Sequence, residues 1–147
     1  GAPVPDKAIE DAVKFILNCK PKNTQGEKGF SYQPGQGGKP AMAGVGILCL
    51  ALCGQYENKM LPRAGDYVLA SGVNKRWGGS HFYYTNYYCT QAMFQLGGPY
   101  WDRWAQEMYE NTLKHQAPDG SWGSAYSTAM TILSLTVSYR QLPVYQR

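Results

Sequence analysis

The stretch HQAPDGSWG, residues His115–Gly123, connects two segments with helical hydrophobic spacing and decides the fold. In this stretch Gln116 is followed by Gly120 and then by Trp122, in the spacing Q-x3-G-x-W. A tight turn here needs only Asp119 and Gly120. The turn does not need the glutamine or the bulky indole. We therefore expect the connection to pack helices together as well as to reverse the chain.

Six segments of the chain have the apolar spacing of α-helices. The first opens at Asp6, a predicted N-cap after Pro5, and is closed by Pro21. Gly54 and Gly72 follow the second and third segments and are predicted helix stops. No segment alternates convincingly as a β-strand, so the sequence predicts an all-α fold. The predicted helical segments are about 6–20, 41–54, 61–71, 84–98, 99–116 and 124–142.

The six predicted helices form three pairs. In each pair a more polar helix is followed by a loop with glycine and aromatic residues, and then by a more apolar helix. Matching Ala43, Ala92 and Ala129 gives a repeat of roughly 35–50 residues, which is typical of helical arrays and closed helical rings. The sequence therefore predicts one domain, residues 1–147, built from three αα-hairpin repeats at about 6–54, 56–98 and 100–142.

Composition excludes several classes of function. The net charge is +4, and the basic residues are scattered from Lys7 to Arg147, unlike the clustered basic face of a nucleic-acid-binding protein. The most apolar run, residues 41–54, is shorter than the roughly 20 residues that a membrane span needs. The four cysteines fit no small disulfide scaffold and are interpreted as buried small hydrophobic residues. We therefore expect no nucleic-acid partner and no membrane span, and the sequence leaves the cellular compartment open.

Two parts of the chain resemble known repeats. Gln116, Gly120 and Trp122 reproduce the Q-x3-G-x-W core of the repeat in squalene and oxidosqualene cyclases. The stretches KGFSYQPGQGG (28–38) and AMAGVGILCLALCG (41–54) resemble the related repeat of protein prenyltransferase β subunits. From about residue 8 to residue 145 the chain is similar to the prenyltransferase/squalene-oxidase repeat superfamily, and its C-terminal half is similar to uncharacterised bacterial proteins with that repeat.

The resemblance implies an α/α toroid, a ring of inner and outer helices. Three helix pairs are fewer than a closed ring of this superfamily usually has, so we expect a partial toroid, or alternatively a compact bundle without a central cavity. Only the third repeat carries the full motif. The first has Gln25 and Gly29, with Phe30 one place early, and the second has no such glutamine.

Within such a fold the motif Gln116, Gly120 and Trp122 is predicted to join successive helix pairs. The Gln116 amide both donates and accepts hydrogen bonds, so it is suited to backbone groups left unpaired at helix ends. Gly120 permits the positive φ of a tight reversal. Trp122 covers the junction with a large apolar surface while its N–H finds a partner. The motif is therefore interpreted as structural, without a chemical role.

The catalytic residues that the resemblance implies are missing from the sequence. Cyclases of the hopene type protonate an alkene with a D-x-D-D cluster, and protein prenyltransferases hold Zn²⁺ through Asp, Cys and His. No Asp-x-Cys occurs here, and the nearest approach to a metal pair is Cys89 with His81. We therefore predict no catalytic residues, no metal and no cofactor. The aspartates are all isolated: Asp6, Asp11, Asp66, Asp102 and Asp119.

The aromatic stretch HFYYTNYY, residues 81–88, is the feature most suited to ligand binding. Tyr84, Tyr87, Tyr88 and Trp122 are the candidate ligand-binding residues, because aromatic faces attract cations and pack against apolar ligands. The alternative is that these tyrosines only pack helix entrances and pair their hydroxyl groups with the backbone.

These observations predict a repeat module without recognisable catalytic residues that acts by protein interaction or by binding an apolar ligand. An open arc exposes the flanks of its terminal pairs, and exposed apolar patches usually mark interfaces, so we expect a homodimer or a larger assembly. The alternative function is an isoprenoid cyclase or prenyl-transferring enzyme completed by another chain or a missing segment, with an isoprenoid ligand. A carbohydrate-active enzyme is a third possibility, since some polysaccharide lyases use helical rings, but no basic and aromatic residues cluster around an obvious Brønsted base.

Overall fold

Helices and one short β-hairpin form the computed structural model, which describes residues 3–21, 28–79 and 81–139. Within these residues there are six α-helices, so the predicted all-α class is confirmed. The elements in chain order are α1 (Asp6–Asn18), β1 (Phe30–Ser31), β2 (Gly38–Lys39), α2 (Pro40–Leu52), α3 (Met60–Ser71), a 3-10 turn (Val73–Lys75), α4 (Phe82–Leu96), α5 (Gly98–Lys114), α6 (Ala125–Leu135) and a second 3-10 turn (Val137–Tyr139).

Helices α2, α4 and α6 lie side by side in one row with α4 in the middle. Helix α4 packs against both α2 and α6, whereas α3 packs against α2 and α4, and α5 packs against α4. Helix α1 contacts α2 at the start of the chain. The row thus consists of the second helices of the three predicted pairs, and the more polar first helices lie against it.

The core sits between this row and the helices that lie against it. Ile47 on α2, Val68 on α3 and Met93 on α4 are fully buried. Trp104 on α5 is also fully buried, and its indole N–H donates a 2.9 Å hydrogen bond to Thr90 Oγ1 on α4. This bond satisfies the polar end of the largest core side chain, as burial of an indole requires.

Gly44 brings α2 and α4 into direct backbone contact. A Cβ atom on Gly44 would lie 2.9 Å from the backbone nitrogen of Cys89 and 2.9 Å from the carbonyl carbon of Tyr88. Only glycine allows this approach, because a larger residue would meet backbone that cannot rotate away. The start of α2 therefore lies beside the middle of α4.

Several predicted boundaries hold and others need correction. Gly54 and Gly72 have positive φ angles of 74° and 59° directly after helices, as predicted for helix stops. Asp6 is not the N-cap: Pro5 takes that position, and Asp6 is the first helical residue, where its negative charge favours the helix N-terminus. Helix α4 begins at Phe82, which the sequence had placed in the preceding loop.

Helix α5 buries Trp104, Met108 and Thr112 on one face, and Leu113, one residue beyond that face, is 57% exposed. A β-hairpin was not expected, yet β1 and β2 pair antiparallel, with Phe30 opposite Lys39. These strands are too short to show an alternating pattern. Gln25 and residues 140–142 lie outside the described residues.

Candidate functional site

Tyr84 and Tyr88 lie one turn apart on α4 and contact each other. Their ring centroids are 4.7 Å apart with the planes tilted by 53°. Tyr87 contacts Tyr88 edge-on at 5.0 Å but is itself buried, whereas Tyr84 and Tyr88 are half-buried. The predicted candidates on α4 therefore divide into two rings that reach the surface and one that supports them from below.

Two further tyrosines, which the sequence did not single out, belong to the same area. Burial raises the pKa of Tyr84, and Tyr88, Tyr32, Tyr126 and the Cys49 thiol raise it further by electrostatic interaction. Helix α4 lies between α2, which β1 contacts, and α6, so the segments that carry Tyr32 and Tyr126 flank it on its two sides. Tyr32 follows β1, and Tyr126 is in the first turn of α6. Tyr32, Tyr84, Tyr88 and Tyr126 are called the tyrosine surface below.

The sequence contains one signal that links Tyr32 with Tyr126. Each follows shortly after the aromatic residue of the loop before a row helix, Phe30 for Tyr32 and Trp122 for Tyr126. Both tyrosines are well exposed, at 67% and 56%. The pattern becomes meaningful only once α2 and α6 are known to flank α4, because that packing brings the two loops to the same end of the row.

The row beneath the tyrosine surface carries no formal charge. Helices α2, α4 and α6 contain no Asp, Glu, Lys or Arg, and the hairpin carries one basic residue, Lys39 of β2. The groups that act on Tyr84 are phenols and a thiol, which are uncharged at neutral pH. The tyrosine surface therefore offers aromatic faces and hydroxyl groups, and no ion-pair partner on the row itself.

Trp122 is held in place by hydrogen bonds to three helices. Its indole N–H donates to the carbonyl of Thr112 on α5 at 2.8 Å, and the side chain is buried. Its backbone N–H donates to Thr128 Oγ1 on α6 at 3.0 Å, and its carbonyl accepts a hydrogen bond from the Tyr83 hydroxyl on α4 at 3.1 Å. Trp122 thus joins three helices, and its role as a ligand-binding residue stays a prediction.

The rest of the motif shapes the loop that holds Trp122. Gly120 has a φ of 84°, the left-handed conformation of a tight reversal. The Gln116 side-chain amide donates to the Gly120 carbonyl at 2.8 Å, inside the same loop. The Asp119 carboxylate accepts a hydrogen bond from the Ser121 N–H at 2.9 Å. Gln116 therefore stabilises the turn itself.

Cys89 and His81, the nearest approach to a metal pair in the sequence, occupy different environments. Cys89 is fully buried, and its thiol donates to the Pro40 carbonyl at 3.4 Å. Burial raises the pKa of Cys89 far above its ordinary value, so the group stays a thiol. His81 is exposed at the N-cap of α4 with a φ of 59°. Across residues 3–21, 28–79 and 81–139, no three His, Cys, Asp or Glu side chains form a group able to hold a metal ion.

A small cleft of about 160 Å³ lies at the opposite end of α4 from Tyr84. Its walls come from the second half of α2, the end of α4, the start of α3 and the loop between α2 and α3. They are mostly aliphatic, with one phenol and one amide. The lining residues are Ile47, Ala51, Tyr56, Leu61, Gln95 and Leu96.

Comparison of the chain with models of known protein families, with characterised proteins and with solved structures gives no match. In the part of the chain that the structure describes, no helix has the length and apolar character needed to cross a membrane.

Proposed function

We propose that this protein is a binding module of the α/α-toroid type, which holds an uncharged ligand at its tyrosine surface and has no catalytic residues of its own. The observation that carries the proposal is the meeting of Tyr84 and Tyr88 with Tyr32 and Tyr126, from three separate segments, on an uncharged row of helices. Exposed tyrosines contribute a large contact area at low conformational cost, which makes them effective binding groups.

The packing order supports the toroid part of the proposal. In a toroid arc the second helix of each pair lies on the inner side and the first helix lies outside it. Here α2, α4 and α6 form a continuous row, and α3 and α5 pack against α4. The Q-x3-G-x-W motif of the resemblance lies at the corner between α5 and α6.

The alternative is an isoprenoid-processing enzyme completed by another chain, and the cluster of aromatic rings favours it. Prenyl diphosphates carry several negative charges, which proteins usually neutralise with Lys, Arg or Mg²⁺. The row helices supply no cationic side chain. Within this alternative, an uncharged hydrocarbon such as squalene fits the tyrosine surface better than a diphosphate does.

Self-association is part of the proposal, because the outer flank of α6 is apolar and exposed. Ala129, Ile132 and Tyr139 are exposed at this end of the row, and residues 120–139 contain no charge. A second copy of the chain is the proposed partner. We expect light scattering of the wild-type protein to give twice the mass of one chain. The Ile132→Lys variant should give the mass of a single chain. A wild-type protein that stays a single chain at high concentration contradicts this part of the proposal.

Ligand binding is tested with uncharged probes. Ring signals of ¹³C-labelled tyrosine are followed by NMR while farnesol, or a neutral oligosaccharide such as cellohexaose, is added to the full chain. We expect one of these probe classes to shift the signals of Tyr84 and Tyr126, and the buried Tyr87 to respond less. Turnover of squalene or of a prenyl diphosphate by the purified chain would overturn the non-catalytic assignment, and unchanged tyrosine signals with every probe would overturn binding at this surface.

A further inference from the structure

The tyrosine surface is elongated across the row. Tyr32 follows β1, which packs against α2, whereas Tyr84 is in the first turn of α4 and Tyr126 is in the first turn of α6. Since α4 lies between α2 and α6, the tyrosines follow one line across three helices. Neighbouring helix axes are about 8–10 Å apart, so the line extends over two such spacings. This shape suits a chain-like ligand better than a compact one.

The chemistry of the surface requires a ligand that is both apolar and rich in hydroxyl groups. Each tyrosine presents a flat ring and a hydroxyl that donates and accepts hydrogen bonds. A pure hydrocarbon would remove water from these hydroxyl groups without replacing its hydrogen bonds, which is unfavourable. An anionic ligand would find no cation on helices α2, α4 and α6, and the one basic residue of the hairpin, Lys39, lies opposite Phe30 and not Tyr32. A sugar ring offers a C–H face to an aromatic ring and hydroxyl groups around its edge.

The loop beside Tyr32 adds further groups of the same kind. Gln33 and Gln36 are exposed in the turn of the hairpin, and the Gln36 amide donates to Gln33 Oε1 at 3.3 Å. Amide side chains donate and accept hydrogen bonds, as sugar hydroxyl groups do. A proline-rich peptide also packs against aromatic grooves, but its proline nitrogens have no N–H to donate. The mixture of donors and acceptors here therefore favours a sugar chain.

We propose that the tyrosine surface binds the chain of a neutral polysaccharide, with sugar rings stacked along the line from Tyr32 through Tyr84 to Tyr126. This inference rests on the proposed function, which requires an uncharged ligand at the same surface, and it names the class of that ligand. Because the line spans three helices, affinity should rise with the number of sugar units until the line is filled.

The test measures binding of neutral oligosaccharides to the full chain by calorimetry. The probes are the disaccharides and hexasaccharides of β-1,4-glucose, α-1,4-glucose, β-1,4-mannose, β-1,4-xylose and β-1,4-N-acetylglucosamine. We expect one hexasaccharide to bind at least about tenfold more tightly than its disaccharide. We expect Tyr32→Ala and Tyr126→Ala each to weaken that binding about tenfold, because stacking on an aromatic ring supplies the attraction. Both residues are exposed, so these variants should melt at the wild-type temperature.

Two controls separate stacking from other effects. Tyr126→Phe keeps the ring and should retain most of the affinity. Tyr56→Ala removes an exposed tyrosine from the loop between α2 and α3, at the opposite end of the row, and should leave affinity unchanged. If farnesol or a polyproline peptide binds through Tyr32 and Tyr126 and no oligosaccharide does, the polysaccharide inference is wrong and the proposed function stands. If neither probe class binds at these tyrosines, both are wrong.

Discussion

Trp122 and Thr112 are joined by a 2.8 Å hydrogen bond from the indole N–H to the backbone carbonyl, inside the buried corner between α5 and α6. Thr112 lies in the last turn of α5, and its carbonyl also accepts a hydrogen bond from the His115 N–H at 3.2 Å. The indole adds a second hydrogen bond to this carbonyl at the end of the helix. Trp122 in the loop and Trp104 on α5, which donates to Thr90 on α4, therefore both hold α5 against the row.

Two substitutions of Trp122 should destabilise the protein to different extents. We expect Trp122→Ala to lower the free energy of unfolding by about 3–5 kcal/mol, because it removes a large buried side chain. Trp122→Phe keeps most of the packing but loses the bond to Thr112, which should cost about 1–2 kcal/mol. Urea denaturation measures both values. Trp101→Phe is the control, since Trp101 is half-buried and makes an edge-on contact with Phe94. If Trp101→Phe lowers the free energy of unfolding as much as Trp122→Phe does, the bond from Trp122 to Thr112 has no special role in stability.

Gly44 and Gly65 form a matched pair of glycines inside helices. Alanine at either position gains about 1 kcal/mol of helix propensity. At Gly44 the new Cβ meets backbone atoms of Tyr88 and Cys89, so we expect Gly44→Ala to destabilise by about 1–2 kcal/mol overall. At Gly65 it meets the end of the Leu96 side chain and the ring edge of Tyr100, which are side-chain atoms that can shift more easily than backbone, so Gly65→Ala should destabilise less than Gly44→Ala. The melting temperatures of the two variants are compared with that of the wild type. If Gly44→Ala melts at the wild-type temperature, α2 and α4 can move apart without cost.

Gln91 is a buried polar side chain whose Oε1 has no hydrogen-bond partner within the described residues. A buried acceptor without a partner costs about 1–3 kcal/mol. We therefore expect Gln91→Met, which keeps a similar volume, to raise the free energy of unfolding by about 1 kcal/mol. The neighbouring variant Thr90→Val should have the opposite sign, because it removes the acceptor of the Trp104 N–H. Denaturant titration measures the change in the free energy of unfolding for each variant. If Gln91→Met is less stable than wild type, the Gln91 amide makes a hydrogen bond in solution.

Most of the fold could be predicted from the sequence because hydrophobic spacing is a local property. The first helix is an example, since its half-buried residues Val13, Ile16 and Leu17 recur at helical intervals. The predicted stops at Gly54 and Gly72 are also local, because glycine tolerates the left-handed conformation after a helix. The exposure of Leu113 could not be predicted in this way, because a one-residue shift rotates a side chain by about 100° around the helix, and spacing alone does not define the edge of the buried face.

The candidate site could be predicted only in part, because it depends on contacts between distant segments. Tyr84 and Tyr88 were found as neighbours in one aromatic stretch. Tyr32 and Tyr126 were not among the predicted candidates, since nothing local marks an exposed tyrosine as a binding residue until the packing of α2, α4 and α6 brings their segments to the two sides of α4. Trp122 was assigned to the ligand surface as well as to the corner, and its bond to α5 places it at the corner.

Glu107 on α5 is held by groups from the 3-10 turn after α3. Asn74 Nδ2 donates to Glu107 Oε2 at 2.9 Å, and Lys75 Nζ lies 3.1 Å from Glu107 Oε1. The Asn74 carbonyl in turn accepts a hydrogen bond from the Asn111 side chain at 2.5 Å. Burial alone would raise the pKa of Glu107, but the bonds from Asn74 and Lys75 and the positive charges of Lys75 and Arg103 outweigh burial and lower the pKa.

The lowered pKa of Glu107 predicts a stability contribution that depends on pH. Because folding favours the ionised carboxylate, the contribution is complete above the ordinary glutamate pKa of about 4.3 and is lost as pH falls through the lower folded value. We therefore expect Glu107→Gln to be less stable than wild type at neutral pH and nearly equal to it at about pH 3. Urea denaturation at both pH values measures the difference. Glu110→Gln, on the exposed side of α5, should change stability little at either pH, and a deficit of Glu107→Gln that persists in acid would show that packing, not charge, holds this residue.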